Sequence, residues 1–193
     1  MGGIKEIQQY MENLGWLYSH LTKMKLLSID WEFPKNPQNL FGAERKYDRH
    51  TGIDIFAPVG TVVYPLHEGK VVKIGWFTGA NSVPPSPWWN DTKYVIVAFT
   101  RDIPNPLFGY IEAITDYALY GELEPLVEVG QLVDQQTELG VIQRVLKNDK
   151  GNPVSMLHFE MYRLLPEHPV FWYKGEPCPN NLLNPTSYLK SFL

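Results

Sequence analysis

The feature that most constrains the fold of this chain is an internal repeat with a period of about 70 residues. The segment VGTVV at 59–63, followed by GKVV at 69–72, recurs as VGQLV at 129–133, followed by GVI at 140–142. Each copy reads as a strand, a turn and a second strand, with glycine where the chain must bend. Two interlocked copies would close a small β sandwich and leave few open sheet edges. The repeat therefore predicts a mostly β, antiparallel domain.

Other segments extend this β pattern. Residues 92–100 are rich in Val, Ile, Tyr and Phe and predict a strand, and residues 26–33 are expected to form another. Residues 78–91 contain three prolines and predict a long loop, and such loops inside compact domains are often functional. Trp88 and Trp89 in this loop are candidates for lining a substrate groove. The alternative is that they fix the loop onto the barrel.

Three side chains suggest a metal site. His50 and Asp54 are four residues apart, and His158 follows about a hundred residues later. Imidazole nitrogen and carboxylate oxygen are usual zinc ligands, and three protein ligands with an open fourth position are typical of a catalytic site. A structural site usually uses thiolates, and Cys178 is the single cysteine of the chain. We therefore predict one zinc ion held by these three side chains; the alternative is a surface histidine near an aspartate.

The strand pattern around these residues supports the metal site. In a strand, Asp54 lies on the face opposite its two isoleucine neighbours, and Met156, His158 and Glu160 share one face. Gly52, between the first two candidate ligands, allows a close backbone approach. The two segments are therefore expected to present their polar side chains to a common site.

With these motifs the chain resembles the lysostaphin/LytM-type zinc metalloendopeptidases, which cut peptides of bacterial peptidoglycan. The resemblance rests on HTGIDIFAPVGTVVY at 50–64, EGKVV at 68–72 and LHFE at 157–160, and it extends over about two-thirds of the chain. It implies the duplicated hybrid motif fold, an antiparallel β sandwich or barrel. It also implies that His50, Asp54 and His158 hold zinc.

Two positions depart from the family pattern. The family usually has His-x-His in the last motif, and Met156 stands at the first of those positions. It also has a Tyr-x-His-Leu segment, which is matched here by residues 120–123 with Glu122 in place of the histidine. Both usual catalytic histidines are therefore absent. Tyr117 or Tyr120 is the candidate to supply the missing hydrogen-bond donor, and Tyr120 joins the two tryptophans as a substrate-binding candidate.

A general base is needed if a zinc-bound water attacks a peptide bond. Glu122 is the first candidate, because other zinc hydrolases use a glutamate in this role and because it replaces a functional histidine of the family. Glu160 is the second candidate. A residue two positions from a ligand more often orients that ligand than exchanges protons with the substrate.

Composition narrows the range of partners. The chain has 193 residues and a net charge of −4, so it has no basic surface for nucleic acid. No apolar run of about 18 residues exists, which predicts no membrane span. The first residues lack the apolar core of a signal peptide. The expected location is the cell envelope if peptidoglycan is the substrate, and the cytoplasm otherwise.

We expect three parts along the chain. Residues 1–39 comprise an N-terminal helix and a lead-in strand, residues 40–163 the metallopeptidase-like β domain, and residues 164–193 a tail that wraps it, ending in a short turn from 188 to 193. The helix is predicted over 4–24 from an apolar stripe of Ile4, Ile7, Met11, Leu14, Tyr18 and Leu21. It is expected to pack on the β domain; the alternative is a dimerising helix, and the oligomeric state is left open.

The predicted function is that of a zinc-dependent hydrolase cleaving a peptide bond of peptidoglycan or of another peptide. Two alternatives remain. One is a catalytically silent module that retains zinc and binds peptidoglycan or a protein partner, which the two missing histidines favour. The other is a zinc hydrolase that acts on a different amide or ester with Glu122 in a changed site.

Overall fold

The computed structural model describes residues 25–105, 110–148 and 154–193, with side chains left undescribed at 103–105 and 110–111. The predicted helix over 4–24 lies outside the described residues. Nine strands form one sheet, and all their pairings are antiparallel. In chain order the strands are β1 (Ile53–Phe56), β2 (Val62–Val63), β3 (Gly69–Thr78), β4 (Thr92–Asn105), β5 (Tyr110–Pro125), β6 (Leu132–Val133), β7 (Gly140–Ile142), β8 (Met156–Tyr162) and β9 (Leu182–Leu183). A 3-10 helix (Pro37–Asn39) precedes them, and a short helix α1 (Thr186–Lys190) follows.

The two copies of the repeat interlock. Strand β2 of the first copy pairs with β7 of the second, and β3 of the first pairs with β6 of the second. The turns correspond as well: the Gly60 amide donates to the Ile142 carbonyl (2.9 Å), and the Gly130 amide donates to the Val71 carbonyl (2.8 Å). Both glycines have positive φ angles, 87° and 96°, which glycine adopts at little cost. The mostly β, antiparallel fold is therefore confirmed, and its repeat is a structural one.

The main core lies between the layers of this folded sheet. It contains the inward-facing aliphatic and aromatic side chains of most strands and is almost fully closed to solvent. Its members include Ile53, Ile55, Val63, Val71, Val95, Val97, Tyr120, Leu123, Leu157 and Phe159. A second cluster covers the opposite face of the central strands and contains Tyr94, Ile96, Leu119, Tyr162, Trp172 and Leu182. Strand β5 pairs with β4, β7 and β8 and therefore connects both clusters.

The expected strand over residues 26–33 is not formed. Leu26 and Leu27 are fully buried, but only Leu27 makes a bridge, opposite Val63. The reason is the length of the partner: β2 has two residues, so the segment has no further strand to pair with. Its buried leucines still anchor it on the main core.

The C-terminal part packs on the sheet. Strand β9 pairs with the end of β8, and helix α1 replaces the beginning of the turn that was expected from residue 188. Leu189 of this helix is fully buried in the main core. The division of the chain into an N-terminal part, a β domain and a wrapping tail stays a prediction. In the described part of the chain, no helix has the length and apolar character needed to cross a membrane.

Candidate metal centre and active site

Strands β1 and β8 bring the candidate ligands together. In their register Asp54 lies opposite His158 and Phe56 lies opposite Met156. Because alternate residues of a strand face the same side, these two pairs form neighbouring rows on one face, while Ile53 and Ile55 enter the core on the other. The alternation read from the sequence is therefore the one that the structure shows.

Gly52 is required for this close approach. An added Cβ atom at this position would lie 2.7 Å from Nε2 of His158 and 2.9 Å from Cγ of Glu160. Real Cβ atoms do not approach side chains this closely, so any larger residue would push β1 away from β8. The glycine thus allows the chain to lie directly against His158 and Glu160.

The three candidate ligands converge. Nδ1 of His158 lies 2.8 Å from Oδ1 of Asp54, and Nε2 of His50 lies 3.0 Å from the same oxygen. The two imidazole nitrogens are 3.3 Å apart. All three side chains are buried, and their ligand atoms lie within 4.8 Å of one another, which forms a group able to hold a metal ion.

The outward atoms of the ligands are bound to other groups. Nδ1 of His50 donates to the Leu40 carbonyl (3.0 Å), and Nε2 of His158 donates to Glu160 (2.9 Å). When the outer nitrogen carries the proton, the inner nitrogen presents a lone pair, which is what a metal needs from imidazole. Nη2 of Arg45 binds Oδ2 of Asp54 (2.9 Å), which leaves Oδ1 facing the histidines. This donor set of two nitrogens and one oxygen fits zinc.

Glu160 is the centre of a hydrogen-bond network behind His158. Its carboxylate is 1% exposed and accepts hydrogen bonds from the hydroxyls of Thr51 and Tyr162 as well as from the His158 ring. Glu160 therefore contacts the nitrogen of His158 that points away from Asp54. This geometry suits a role in orienting the ring and does not suit proton exchange with a substrate.

Glu122 reaches the site through a β-bulge. The pairing of β4 with β5 shifts between Lys93–Leu123 and Tyr94–Gly121, so Glu122 is the extra residue, and its φ angle is +67°. Regular alternation would place residue 122 on the core face with Tyr120. Instead Leu123 enters the core and Glu122 lines the cavity beside the ligands. Bulges commonly redirect a side chain next to an active site.

The Glu122 carboxyl is buried without full hydrogen bonding. The residue is 7% exposed, and its Oε2 atom has no hydrogen-bond partner among the described residues. A buried polar atom without a partner is costly and is uncommon in folded proteins. The nearby basic side chain of Arg45 forms its ion pair with Asp54.

The pKa values of the buried carboxyl and imidazole groups at this site are shifted in different directions. Burial alone would raise the pKa of Asp54, but hydrogen bonds from His158 and His50 hold this pKa well below its usual range. Burial, and then the charge of Asp54, raises the pKa of Glu122 to about 8. Burial would lower the pKa of His158, but its bonds to Asp54 and Glu160 raise the pKa to about 10. Burial lowers the pKa of His50.

A cavity of about 360 Å³ opens beside these groups. Trp89 and Met156 line it, as do Arg45 and Glu122. Trp88 is not among the lining residues and is 65% exposed, although its ring lies 6.4 Å from that of Trp89.

The structure does not support a substrate contact by Tyr120. Its side chain is 1% exposed on the core face, and its hydroxyl accepts a hydrogen bond from the Leu66 amide (3.0 Å). Tyr117 does not line the cavity either. Neither tyrosine therefore supplies the donor that Met156 lacks.

Three residues that contact His158 or Glu160 were not predicted from the sequence. Phe77 packs on the His158 ring, with ring centroids 5.0 Å apart, from a second bulge between β3 and β4. No local sequence pattern indicates this bulge. Thr51 and Tyr162 bind Glu160, and Tyr162 was detectable because it shares a strand face with Glu160, two residues away.

Known proteins that resemble this chain are found among solved structures. No protein-family model and no curated protein sequence matches it. Among solved structures, it is similar to the catalytic domain of the prophage-encoded M23 protein EnpA from Enterococcus faecalis, in the form of an alanine-to-histidine mutant. Their identity is 17% and the TM-score 0.50, over 82% of this chain and 91% of that one. The catalytic domain of lysostaphin from Staphylococcus simulans is 17% identical over 89% of this chain and 96% of its own, with a TM-score of 0.43. LytU is 17% identical over 85% and 92%, with a TM-score of 0.49. The resemblance to the lysostaphin/LytM type is therefore confirmed at the level of the fold, which this chain shares with the M23 catalytic domain of EnpA.

Proposed function

We propose that this protein is a zinc-dependent hydrolase that cleaves a peptide bond, with His50, Asp54 and His158 as the zinc ligands. The observation that carries the proposal is the convergence of three buried ligand atoms. The other ring nitrogen of each histidine and the other carboxylate oxygen of Asp54 are hydrogen-bonded to the protein, so the converging atoms face one another. The fold shared with the M23 catalytic domain of EnpA agrees with the family resemblance of the sequence, which points to hydrolysis of a peptide of peptidoglycan or of another peptide.

Zinc held by these residues would supply a water of lowered pKa and would polarise the carbonyl group of a peptide. The base for the proton would have to come from the chain itself. Glu122 is the base that the geometry favours, because the bulge turns its carboxyl towards the cavity and Oε2 has no other partner among the described residues. Glu160 is assigned to orientation of His158, since all its contacts lie behind the ring.

Stabilisation of the developing oxyanion is the weaker part of this site. Met156 lines the cavity where the family has a histidine, and a thioether donates no hydrogen bond. Loss of one oxyanion donor typically lowers the rate by roughly 10²–10³. Arg45 is the candidate replacement, because its guanidinium lines the cavity and has further N–H groups besides the one that binds Asp54.

Metal analysis together with a hydrolysis assay tests the proposal. We expect about one zinc per chain in the purified protein and release of peptides from murein fragments, and we expect His158→Ala to lose both. Leu132→Ala is the matched control, because Leu132 is exposed on β6 away from the cavity. A protein that binds zinc yet cleaves neither murein nor synthetic peptides would instead be the silent binding module.

A further inference from the structure

An apolar pair borders the candidate metal centre on one side. Phe56 and Met156 face each other across β1 and β8, one row along from Asp54 and His158 on the same face. Residues two positions apart along a strand are separated by about 7 Å. The Phe56–Met156 pair is therefore within reach of the substrate residue next to a peptide bond held at the metal. The Phe56 side chain is 39% exposed although it is large and apolar, so it has little cover from the protein itself.

Four other residues add an apolar wall to the same cavity. Val83 and Trp89 come from the 78–91 loop, and Val145 and Leu146 come from the segment after β7. The sequence indicated a functional role for this loop, and Val83 and Trp89 are its apolar residues that line the cavity.

Both segments of this wall are held by backbone bonds. The Asn90 amide donates to the Val145 carbonyl (2.8 Å), and Trp89 forms a bridge with Leu146. Within the loop the Ser86 amide donates to the Gly79 carbonyl (2.7 Å). The wall is thus part of the folded domain and does not need a ligand to form it.

The two arginines that line the cavity already have acidic partners. Arg45 and Arg49 enter it from the segment before His50, and they are already paired with Asp54 and Glu44. The apolar row and the apolar wall therefore border a space in this cavity that favours an uncharged, bulky group.

We infer that this space, the apolar pocket formed by Phe56, Met156, Val83, Trp89, Val145 and Leu146, selects a peptide with a bulky aliphatic or aromatic side chain directly beside the scissile bond. The inference rests on the proposed peptidase function and names its substrate class. A glycine at that position would leave the pocket filled with water. A leucine would bury its side chain, and even one methylene in an apolar pocket is worth roughly 10–200-fold in discrimination.

Four synthetic peptides test the pocket. They share their outer residues and carry Gly-Gly, Leu-Gly, Gly-Leu or Leu-Leu at the bond to be cut, and kcat/KM is measured for each with the zinc-loaded full chain. We expect leucine at one of the two positions to raise kcat/KM at least roughly tenfold over the Gly-Gly peptide. Equal or faster cleavage of the Gly-Gly peptide would overturn the pocket while leaving peptide hydrolysis established.

A substitution at Leu146 tests whether the apolar wall causes the preference for leucyl peptides. In Leu146→Ser we expect the ratio of leucyl to glycyl kcat/KM to fall severalfold, whereas Leu132→Ser on distant β6 should keep the parent ratio. Zinc content and thermal unfolding of both variants are measured alongside, and Leu146→Val serves if Leu146→Ser unfolds. An unchanged ratio in a folded Leu146 variant would overturn the assignment.

Binding separates this inference from the proposed function. The same peptides are titrated calorimetrically into the full chain. Tighter binding of the leucyl peptide, reduced in the Leu146 variant, supports the pocket even if no peptide is cleaved. Equal binding of leucyl and glycyl peptides without any cleavage overturns both proposals.

Discussion

Two buried glutamates border the same cavity, and they differ in how their carboxyl groups are satisfied. Glu160 accepts hydrogen bonds from an imidazole and two hydroxyls and holds the back of His158. Glu122 sits in a bulge with positive φ, and its Oε2 has no partner among the described residues. The contrast indicates a closed side of the site that fixes geometry and an open side that is available for chemistry.

The largest expected effect is on the open side. Glu122→Gln keeps the shape of the side chain and removes its basicity, so turnover should fall by roughly 10²–10⁴ while zinc content stays unchanged. Hydrolysis rates and metal analysis of the purified variant measure this. Glu124→Gln, two residues along β5 at an exposed position, is the matched control and should retain parent turnover. Unchanged turnover in Glu122→Gln would remove Glu122 as the base.

His158 on the closed side and Glu122 on the open side both make the free energy of unfolding of the metal-free protein depend on pH. The folded pKa of His158 is raised to about 10, so its stabilising contribution is complete below the unfolded pKa of about 6.5 and is lost as pH rises through about 10. The folded pKa of Glu122 is raised to about 8, so ionising it also destabilises the fold as pH rises. We expect the free energy of unfolding in chelator to fall by about 2–4 kcal/mol from pH 7 to pH 10.

Zinc should remove much of that dependence, because metal replaces the proton on the inner nitrogen of His158. Urea unfolding at pH 7 and pH 10, with chelator and with zinc, measures the free energy of unfolding under each condition. His158→Ala in chelator should show a weaker pH dependence than the parent. The same slope with and without zinc would contradict the assignment of His158 as a ligand.

The next effect is on the closed side. Glu160→Gln leaves the ring of His158 with a weaker hydrogen-bond partner, and loss of such an outer partner typically lowers metal affinity by about 10–100-fold. Competition with a chromophoric chelator measures the zinc affinity. Turnover at saturating zinc should fall far less than in Glu122→Gln. If the two variants lost turnover equally at full zinc loading, the division between the two sides would be wrong.

The smallest expected effect concerns Thr51. Its hydroxyl is one of three donors to Glu160, and Thr51→Val removes that hydrogen bond while keeping the shape. A single hydrogen bond contributes about 1 kcal/mol to the free energy of unfolding, and the loss should be of that size. Thermal and urea unfolding measure it, with Thr115→Val at an exposed position of β5 as the control. A loss in the control as large as that in Thr51→Val would show that the contact with Glu160 contributes nothing specific.

Much of the fold and the centre of the site follow from local patterns in the sequence. The repeat predicted two interlocked copies, which are observed as the pairing of β2 with β7 and of β3 with β6, and strand alternation indicated the faces on which Asp54 and His158 lie. These predictions succeed because turns and alternation are properties of short segments.

The remaining features depend on neighbouring strands. Regular alternation assigns residue 122 to the core face together with Tyr120, but the bulge moves Glu122 to the cavity while Tyr120 stays inside. A register shift between two strands leaves no signature in either strand alone. The strand expected over 26–33 failed for a related reason, since its partner β2 is too short.

The interlocked repeat determines how much of the chain must leave the ribosome before the β domain can fold completely. When the first copy emerges, β2 lacks its strand partner and β3 can pair only with β4, because β7 and β6 lie in the second copy about 70 residues later. His50 and Asp54 must wait longer still, since β8 is synthesised after both copies. An unfinished chain therefore offers an ion only two of the three side chains. Capture of the ion would report that synthesis and closure of the β domain are complete.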